Sequence, residues 1–118
     1  MLRVSSQNTN TDINLQGING DAEAAATGVE YGAELMAFAE ALARRDAAGL
    51  NHARQSLREA AGDEVLVDAA GVAANFQRMV RIADATGIPV DNMEAELGQS
   101  VRAELELERF VSARNSLG

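Results

Sequence analysis

The segment from residue 63 to residue 91, DEVLVDAAGVAANFQRMVRIADATGIPVD, constrains the fold more than any other part of the chain. Asp63 is a helix N-cap signal, and Gly87 followed by Ile88 and Pro89 is a strong helix stop. Between these signals, apolar and small residues cover most of the helical circumference rather than a single stripe. The pattern predicts a central helix that is contacted on several sides, and therefore an all-α fold.

The composition also favours packed helices. The chain has 118 residues, the size of one small domain, and 47% of them are hydrophobic, as in folded globular proteins. With three Phe, one Tyr and no Trp, the interior must consist of aliphatic side chains and alanines, which let helix backbones approach closely. We predict a small helical bundle of about four helices, with residues 21–118 forming a single all-α domain.

Charge and cysteine content exclude several classes of function. The net charge of −8 repels phosphate groups, so we expect neither nucleic acid nor an anionic membrane as a partner. No stretch approaches the roughly 20 apolar residues of a membrane-spanning helix, and the N-terminus lacks the apolar core of a secretory signal. The expected compartment is the cytoplasm. Without cysteine, disulfides, thiolate metal sites and thiol redox cycles on this chain are excluded.

Residues 1–20 are predicted to be a non-helical N-terminal arm. They are rich in Ser, Asn, Thr, Gln and Gly and show no helical period of apolar residues. Such an arm is either loose, which we favour, or anchored on a neighbouring surface by Ile13, Leu15 and Ile18, for example as a short strand.

The first helix is predicted from about residue 21 to residue 45, because apolar residues recur there at steps of three and four. Gly28 and Gly32 allow two interpretations, between which the sequence does not decide. They form a row of small residues against which another helix packs closely, or they weaken and bend their own helix. The apolar stripe of this helix consists of Tyr31, Leu35, Phe38 and Leu42.

Two further helices flank the central one. A short helix is predicted over residues 47–61, with Asp46 as its N-cap and Gly62 as its end. A final helix is predicted to begin at Asp91, where Glu94 completes an acidic variant of the capping box.

The outer face of the final helix is interpreted as a solvated surface. This face carries several glutamates and two arginines, Arg102 and Arg109. Along the last turns, the apolar residues leave the line of the stripe and move around the helix. We therefore expect a second contact surface there, either within the chain or on another subunit.

The candidate site is the polar set on the central helix, Asn75, Arg78, Arg81 and Asp84, together with Asp68. In a functional interpretation, an arginine holds a ligand carboxylate by two hydrogen bonds while Asn75 orients it. In a structural interpretation, these groups form hydrogen bonds and ion pairs between helices or subunits, since buried charges must be paired. We favour the structural interpretation, because no nucleophile or base accompanies the arginines.

The sequence predicts no catalytic residue, no metal site and no cofactor. His52 is the only histidine, and it lies away from the apolar stripe of its helix. A single histidine without cysteine is a poor basis for a zinc site. The carboxylate pairs lie at helix starts or on the solvated face, where capping and solubility explain them.

Two sequence runs precede the central segment in a recognisable order, LMAFAEALARRD and AGLNHARQSLREAAGDE. The central segment then carries an asparagine after an apolar run, an arginine followed by Ile-Ala-Asp, and a glycine followed by an aliphatic and an acidic residue. The residues concerned are Asn75, Arg81, Ile82, Ala83, Asp84, Gly87, Ile88 and Asp91. From Leu35 to Asp91 the chain resembles the C-terminal half of the carboxymuconolactone decarboxylase and alkylhydroperoxidase-D-like superfamily, in particular its peroxidase-related branch.

The resemblance implies an all-helical fold that assembles into dimers, trimers or hexamers. In the peroxidase members it implies a catalytic helix with Cys-x-x-Cys and a nearby Glu and His, which would precede Leu35. Here that region reads DAEAAATGVEYGAEL and contains neither cysteine nor histidine. Because the thiolate itself is the nucleophile, thiol peroxidase activity is rejected. The shortened front end also strengthens the case for self-association.

Two hypotheses of function follow. The first is a non-catalytic, homo-oligomeric helical protein, a dimer or trimer that keeps the scaffold of this superfamily. The second is a cysteine-independent enzyme or a protein that binds a small organic acid through the arginine and asparagine cluster on the central helix. We favour the first.

Overall fold

The computed structural model describes residues 2–26, 28–90 and 95–117, and these residues form helices and turns, with no strand among them. This confirms the all-α fold. The chain divides into two compact units, Met1–Asn75 and Phe76–Gly118. The α-helices are α1 (Leu2–Thr9), α2 (Ala22–Ala25), α3 (Gly32–Arg44), α4 (Ala47–Thr86), α5 (Glu96–Glu104) and α6 (Arg114–Leu117). Short 3₁₀ helices span Leu15–Asn19, Leu107–Arg109 and Val111–Ala113.

The core of the first unit joins α3 to both parts of α4. Phe38 from α3 packs with Ala53, Leu57 and Leu66 from α4, and all four are buried. Leu57 is completely inaccessible to solvent. Burial of one large aliphatic side chain stabilises a fold by about 1.5–3 kcal/mol. This cluster therefore determines how the helices of the first unit pack.

The long helix α4 consists of two helical segments. Gly62 lies between them with non-helical angles, φ 89° and ψ 175°. The first segment begins as predicted, because the Asp46 carboxylate accepts a hydrogen bond from the Gly49 backbone N–H at 3.0 Å. The predicted end of the short helix at Gly62 is confirmed by this break.

The second segment of α4 ends as predicted. Thr86 is its last residue, and Gly87 adopts a left-handed conformation with φ 67°. The Ile88 N–H donates to the Ala83 carbonyl at 3.2 Å, the six-to-one hydrogen bond of a Schellman motif. The capping box predicted at Asp91 and Glu94 lies outside the described residues.

The expectation of a non-helical N-terminal arm is wrong. Residues Leu2–Thr9 form α1, and Leu15–Asn19 form a 3₁₀ helix rather than a strand. Residues 2–9 contain neither glycine nor proline, so nothing in this stretch interrupts a helix. Leu15 is buried and anchors the segment, whereas Ile18 is 60% exposed.

The first predicted helix is interrupted. Helix α2 ends at Ala25 and α3 begins at Gly32, and between them Gly28 has a positive φ of 77°. A Cβ atom on Gly28 would collide with the Asp12 carbonyl oxygen, and one on Gly32 would collide with the Ala25 carbonyl oxygen. The break agrees with the interpretation that these glycines interrupt their own helix, whereas their close contacts are with the backbone at Asp12 and Ala25 and not with another helix packed along the row.

The second segment of α4 is less covered than its apolar sequence led us to expect. Leu66 is buried, but Val67 is 69% exposed, Val72 is 59% exposed and Phe76 is 55% exposed. The helix predicted after Asp91 does not continue as an α-helix through its last apolar turns. Helix α5 ends at Glu104, and Glu106 adopts a left-handed φ of 51° that separates it from the following 3₁₀ turns.

Replacing Gly28 with alanine is expected to destabilise the fold by about 1–3 kcal/mol, because alanine is strained at positive φ and its Cβ would meet the Asp12 backbone. Gly71 is a matched control, since it lies within α4 and a Cβ there meets no atom within 4 Å. Gly71→Ala should raise stability by up to about 1 kcal/mol. Urea unfolding followed by circular dichroism measures both changes, and equal effects of the two variants would contradict this account.

Candidate functional site

The four predicted site residues follow one another at three-residue steps along the second segment of α4. Each residue of an α-helix turns the side-chain direction by about 100°, so a step of three moves it by about 60° around the helix. The set Asn75, Arg78, Arg81 and Asp84 therefore winds across about half of the circumference. All four residues are exposed. The structure places them along one helix but does not gather them around a single point.

The second unit contains a cavity of about 320 Å³. Its walls are mostly apolar, and Val80, Ile88 and Phe110 contribute to them. The Val90 N–H donates to the Ser116 hydroxyl at 2.7 Å, which holds the chain after α4 against α6 along one side of this cavity. Of the predicted site residues in this unit, Asp84 lines the cavity and Arg78 and Arg81 do not.

Among the described residues, Arg102 is the arginine in the wall of this cavity, a position that the sequence pattern did not predict. Its side chain is 18% exposed, and its Nη2 atom lies 3.8 Å from Oε1 of Glu108. The interpretation of Arg102 as part of a solvated face is therefore wrong. A signal was present, because Arg102 lies three residues before Leu105, which is buried, and this spacing places both on one side of a helix.

The charge balance of this cavity is negative. Among the described residues that line it, two carry carboxylates, Asp84 and Glu108, and one carries a guanidinium, Arg102. An anionic ligand would have to compete with these carboxylates for the guanidinium. This arrangement gives no support to an organic acid at this cavity.

His52 lies at the rim of a different cavity, in the first unit, with a volume of about 570 Å³. Three of the charged groups that line this cavity already have partners. Arg44 Nη2 contacts Oε1 of Glu40 at 2.7 Å, and Asp46 caps α4. Within the described ranges, no group of three or more metal-ligating side chains has the geometry to hold a metal ion.

Comparisons with protein-family models, with curated proteins and with solved structures find no match for this chain. The resemblance to the carboxymuconolactone decarboxylase and alkylhydroperoxidase-D-like superfamily thus rests on the sequence motifs alone. In the described part of the chain, no helix combines the length and hydropathy needed to cross a lipid bilayer.

Tyr31 is a titratable group whose electrostatic environment is set by its neighbour Glu30. It lies at the start of α3, half-buried against the core cluster, and its φ of 54° is left-handed. A hydrogen bond to the Glu30 side chain raises the pKa of the Tyr31 phenol, and the negative charge of Glu30 and desolvation raise it further. The interaction favours the neutral phenol.

The phenol of Tyr31 is therefore expected to titrate above its ordinary pKa of 10.0, and Glu30→Gln should lower the pKa toward that value. Because the folded chain holds this proton more tightly than the unfolded chain, the stabilisation is complete below about pH 10 and is lost as pH rises through the folded-state pKa. Tyr31 is the only tyrosine, so alkaline difference absorbance reports on it alone. Glu64→Gln serves as a control, and an identical pKa in wild type and Glu30→Gln would overturn this assignment.

Replacing Arg78 and Arg81 together with alanine is expected to leave the response to small organic acids unchanged, because both side chains are exposed and neither lines the cavity of the second unit. Calorimetric titration with a panel of mono- and dicarboxylic acids measures this response. Arg54→Ala, an exposed arginine on the first segment of α4, controls for the loss of positive charge. Saturable binding that disappears in the double variant and persists in Arg54→Ala would instead support an acid-binding site.

Proposed function

We propose that this chain is a non-catalytic helical protein that acts as a homo-oligomer, a dimer or trimer, in the cytoplasm. The observation that supports self-association is an apolar stripe on the second segment of α4, formed by Phe76, Met79, Val80 and Ala83. Their spacing of three, one and three residues places them within about 100° of one another around the helix. Phe76, Met79 and Val80 are 55%, 50% and 52% exposed.

A stripe of this kind differs from ordinary scattered surface residues. Single exposed apolar side chains are common, but adjacent ones along one helix face form a continuous patch typical of interaction sites. By the same helical geometry, Arg78 and Arg81 point away from the stripe, so their charges do not prevent another helix from approaching it.

A second copy of the chain is the partner that we propose for this stripe. Two identical stripes related by a two-fold axis present the same apolar surface to each other, and such closed symmetric contacts are the commonest form of protein assembly. Helices meeting along such stripes pack by interdigitating their side chains. The motifs shared with the carboxymuconolactone decarboxylase and alkylhydroperoxidase-D-like superfamily, whose members assemble, support the same proposal.

The absence of catalysis is the second part of the proposal. The chain has no cysteine to serve as a peroxidatic nucleophile, and the candidate polar residues on α4 are spread around the helix without an accompanying base. The alternative is a protein that binds a small organic acid through Asn75, Arg78, Arg81 and Asp84, and the double arginine variant distinguishes it.

Val80→Gln is expected to weaken self-association by at least about tenfold, which corresponds to about 1.4 kcal/mol, because it places an amide in the apolar contact. Sedimentation equilibrium of the full chain between micromolar and hundred-micromolar concentrations measures the mass against the 12.4 kDa of one chain. Wild type should show a multiple of that mass. Phe76→Gln should shift the equilibrium in the same direction.

Val67→Gln is the matched control for this experiment. It makes the same substitution on the same helix, at a valine that is 69% exposed and outside the stripe. Its mass distribution should equal that of wild type, with circular dichroism confirming that all variants stay helical. A wild-type chain that remains a monomer at the highest concentration, or equal dissociation by Val67→Gln and Val80→Gln, would refute the proposed interface.

A further inference from the structure

The first unit contains a cavity of about 720 Å³ between the 3₁₀ helix Leu15–Asn19, α2 and α3. This volume lies within the range of about 300–1,000 Å³ that is usual for small-molecule sites. The cavity exists because the chain breaks between α2 and α3 and the 3₁₀ helix packs beside that break. Its described lining residues all belong to the first unit, whereas the apolar stripe defined above lies in the second.

The walls of this cavity are predominantly hydrocarbon. Apolar side chains from each bordering element line it, among them Ile18 from the 3₁₀ helix, Ala24 from α2, and Leu35 and Met36 from α3. Of the lining residues that the structure describes, Glu40 alone carries a charge. That carboxylate is already bound by Arg44, whose Nη2 lies 2.7 Å from Glu40 Oε1.

The amide side chains at the cavity are also engaged within the chain. Asn14 accepts a hydrogen bond from the Gln16 backbone N–H at 3.0 Å, which caps the 3₁₀ helix. Asn19 donates to the Gln16 side-chain oxygen at 3.1 Å. A charged or strongly polar ligand would lose its hydration here and would have to displace these existing partners to regain hydrogen bonds. An apolar ligand neither loses hydrogen bonds to water nor has to displace these partners.

We propose that this cavity is a binding site for an uncharged, predominantly hydrocarbon small molecule. The driving force is the removal of apolar surface from water on both the ligand and the walls. Because the cavity is open to solvent along Ile18 and Val72, which are 60% and 59% exposed, a ligand enters without unfolding of the core.

Fluorescence titration of the full chain with N-phenyl-1-naphthylamine, a neutral apolar probe, tests this proposal. Saturable binding of one probe per chain is expected, and the anionic probe 8-anilinonaphthalene-1-sulfonate should bind at least about tenfold more weakly, because the described wall residues offer its sulfonate no cationic side chain. Equal or tighter binding of the anionic probe would overturn the assignment of an uncharged ligand.

Ala39→Phe and Ala43→Phe form a matched pair for locating the probe. Both alanines are exposed on α3, one turn apart, but Ala39 lines the cavity and Ala43 does not. Ala39→Phe should fill part of the space and weaken probe binding at least tenfold, whereas Ala43→Phe should leave it within twofold. If Ala39→Phe fails to fold, Ile18→Glu, which places a charge at the rim, should weaken binding in the same way.

Two further outcomes separate this site from the self-association interface. Probe binding should persist unchanged in Val80→Gln, and loss of binding there would show that the probe occupies the apolar stripe or the adjoining cavity of the second unit instead. The mass of Ala39→Phe in sedimentation equilibrium should equal that of wild type. A lower mass would mean that a second chain, rather than a small molecule, fills the cavity, and the proposal would be wrong.

Discussion

The contact of Phe38 with Leu57 and Leu66 is the interaction on which the first unit depends. Leu57 and Leu66 lie on opposite sides of the break at Gly62, and both are buried with Phe38 from α3. A chain with three Phe and no Trp has few large side chains to place, so this one cluster carries much of the apolar burial. The cavity of this unit, the start of α4 and the position of Tyr31 all follow from helices held by this cluster.

Sequence reasoning succeeded where a local physical signal determines local structure. The cap at Asp46, the break at Gly62 and the Schellman stop at Gly87 were each predicted from residue type and position, and the structure shows all three. These features depend on backbone hydrogen bonds within a few residues, so a single sequence contains the information needed to recognise them.

Prediction from the sequence failed where contacts between distant parts of the chain determine the local structure. The polar composition of the first 20 residues indicated a loose or extended arm, but Leu15 is buried in the first unit as part of a 3₁₀ helix, a tertiary contact that composition does not reveal. Gly28 interrupts a segment in which apolar residues recur with a helical period. It faces the Asp12 backbone, and this contact cannot be read from the spacing of apolar residues. The helix that carries the candidate site residues was predicted correctly. The arginine that lines the cavity of the second unit, however, is Arg102 and not Arg78 or Arg81, because the burial of a side chain depends on which elements surround it.

The break at Gly62 has a dynamic consequence. Regular helical geometry is interrupted there, so loss of structure that starts at the Thr86 end of α4 does not propagate residue by residue into the turn that holds Leu57. The segment after the break contains one buried large residue, Leu66, and several exposed ones, which is the pattern of a region that opens at low free energy. The chain thus combines a well-held helical pair with a more labile helical extension, and amide protons on the two sides of Gly62 would exchange on different timescales.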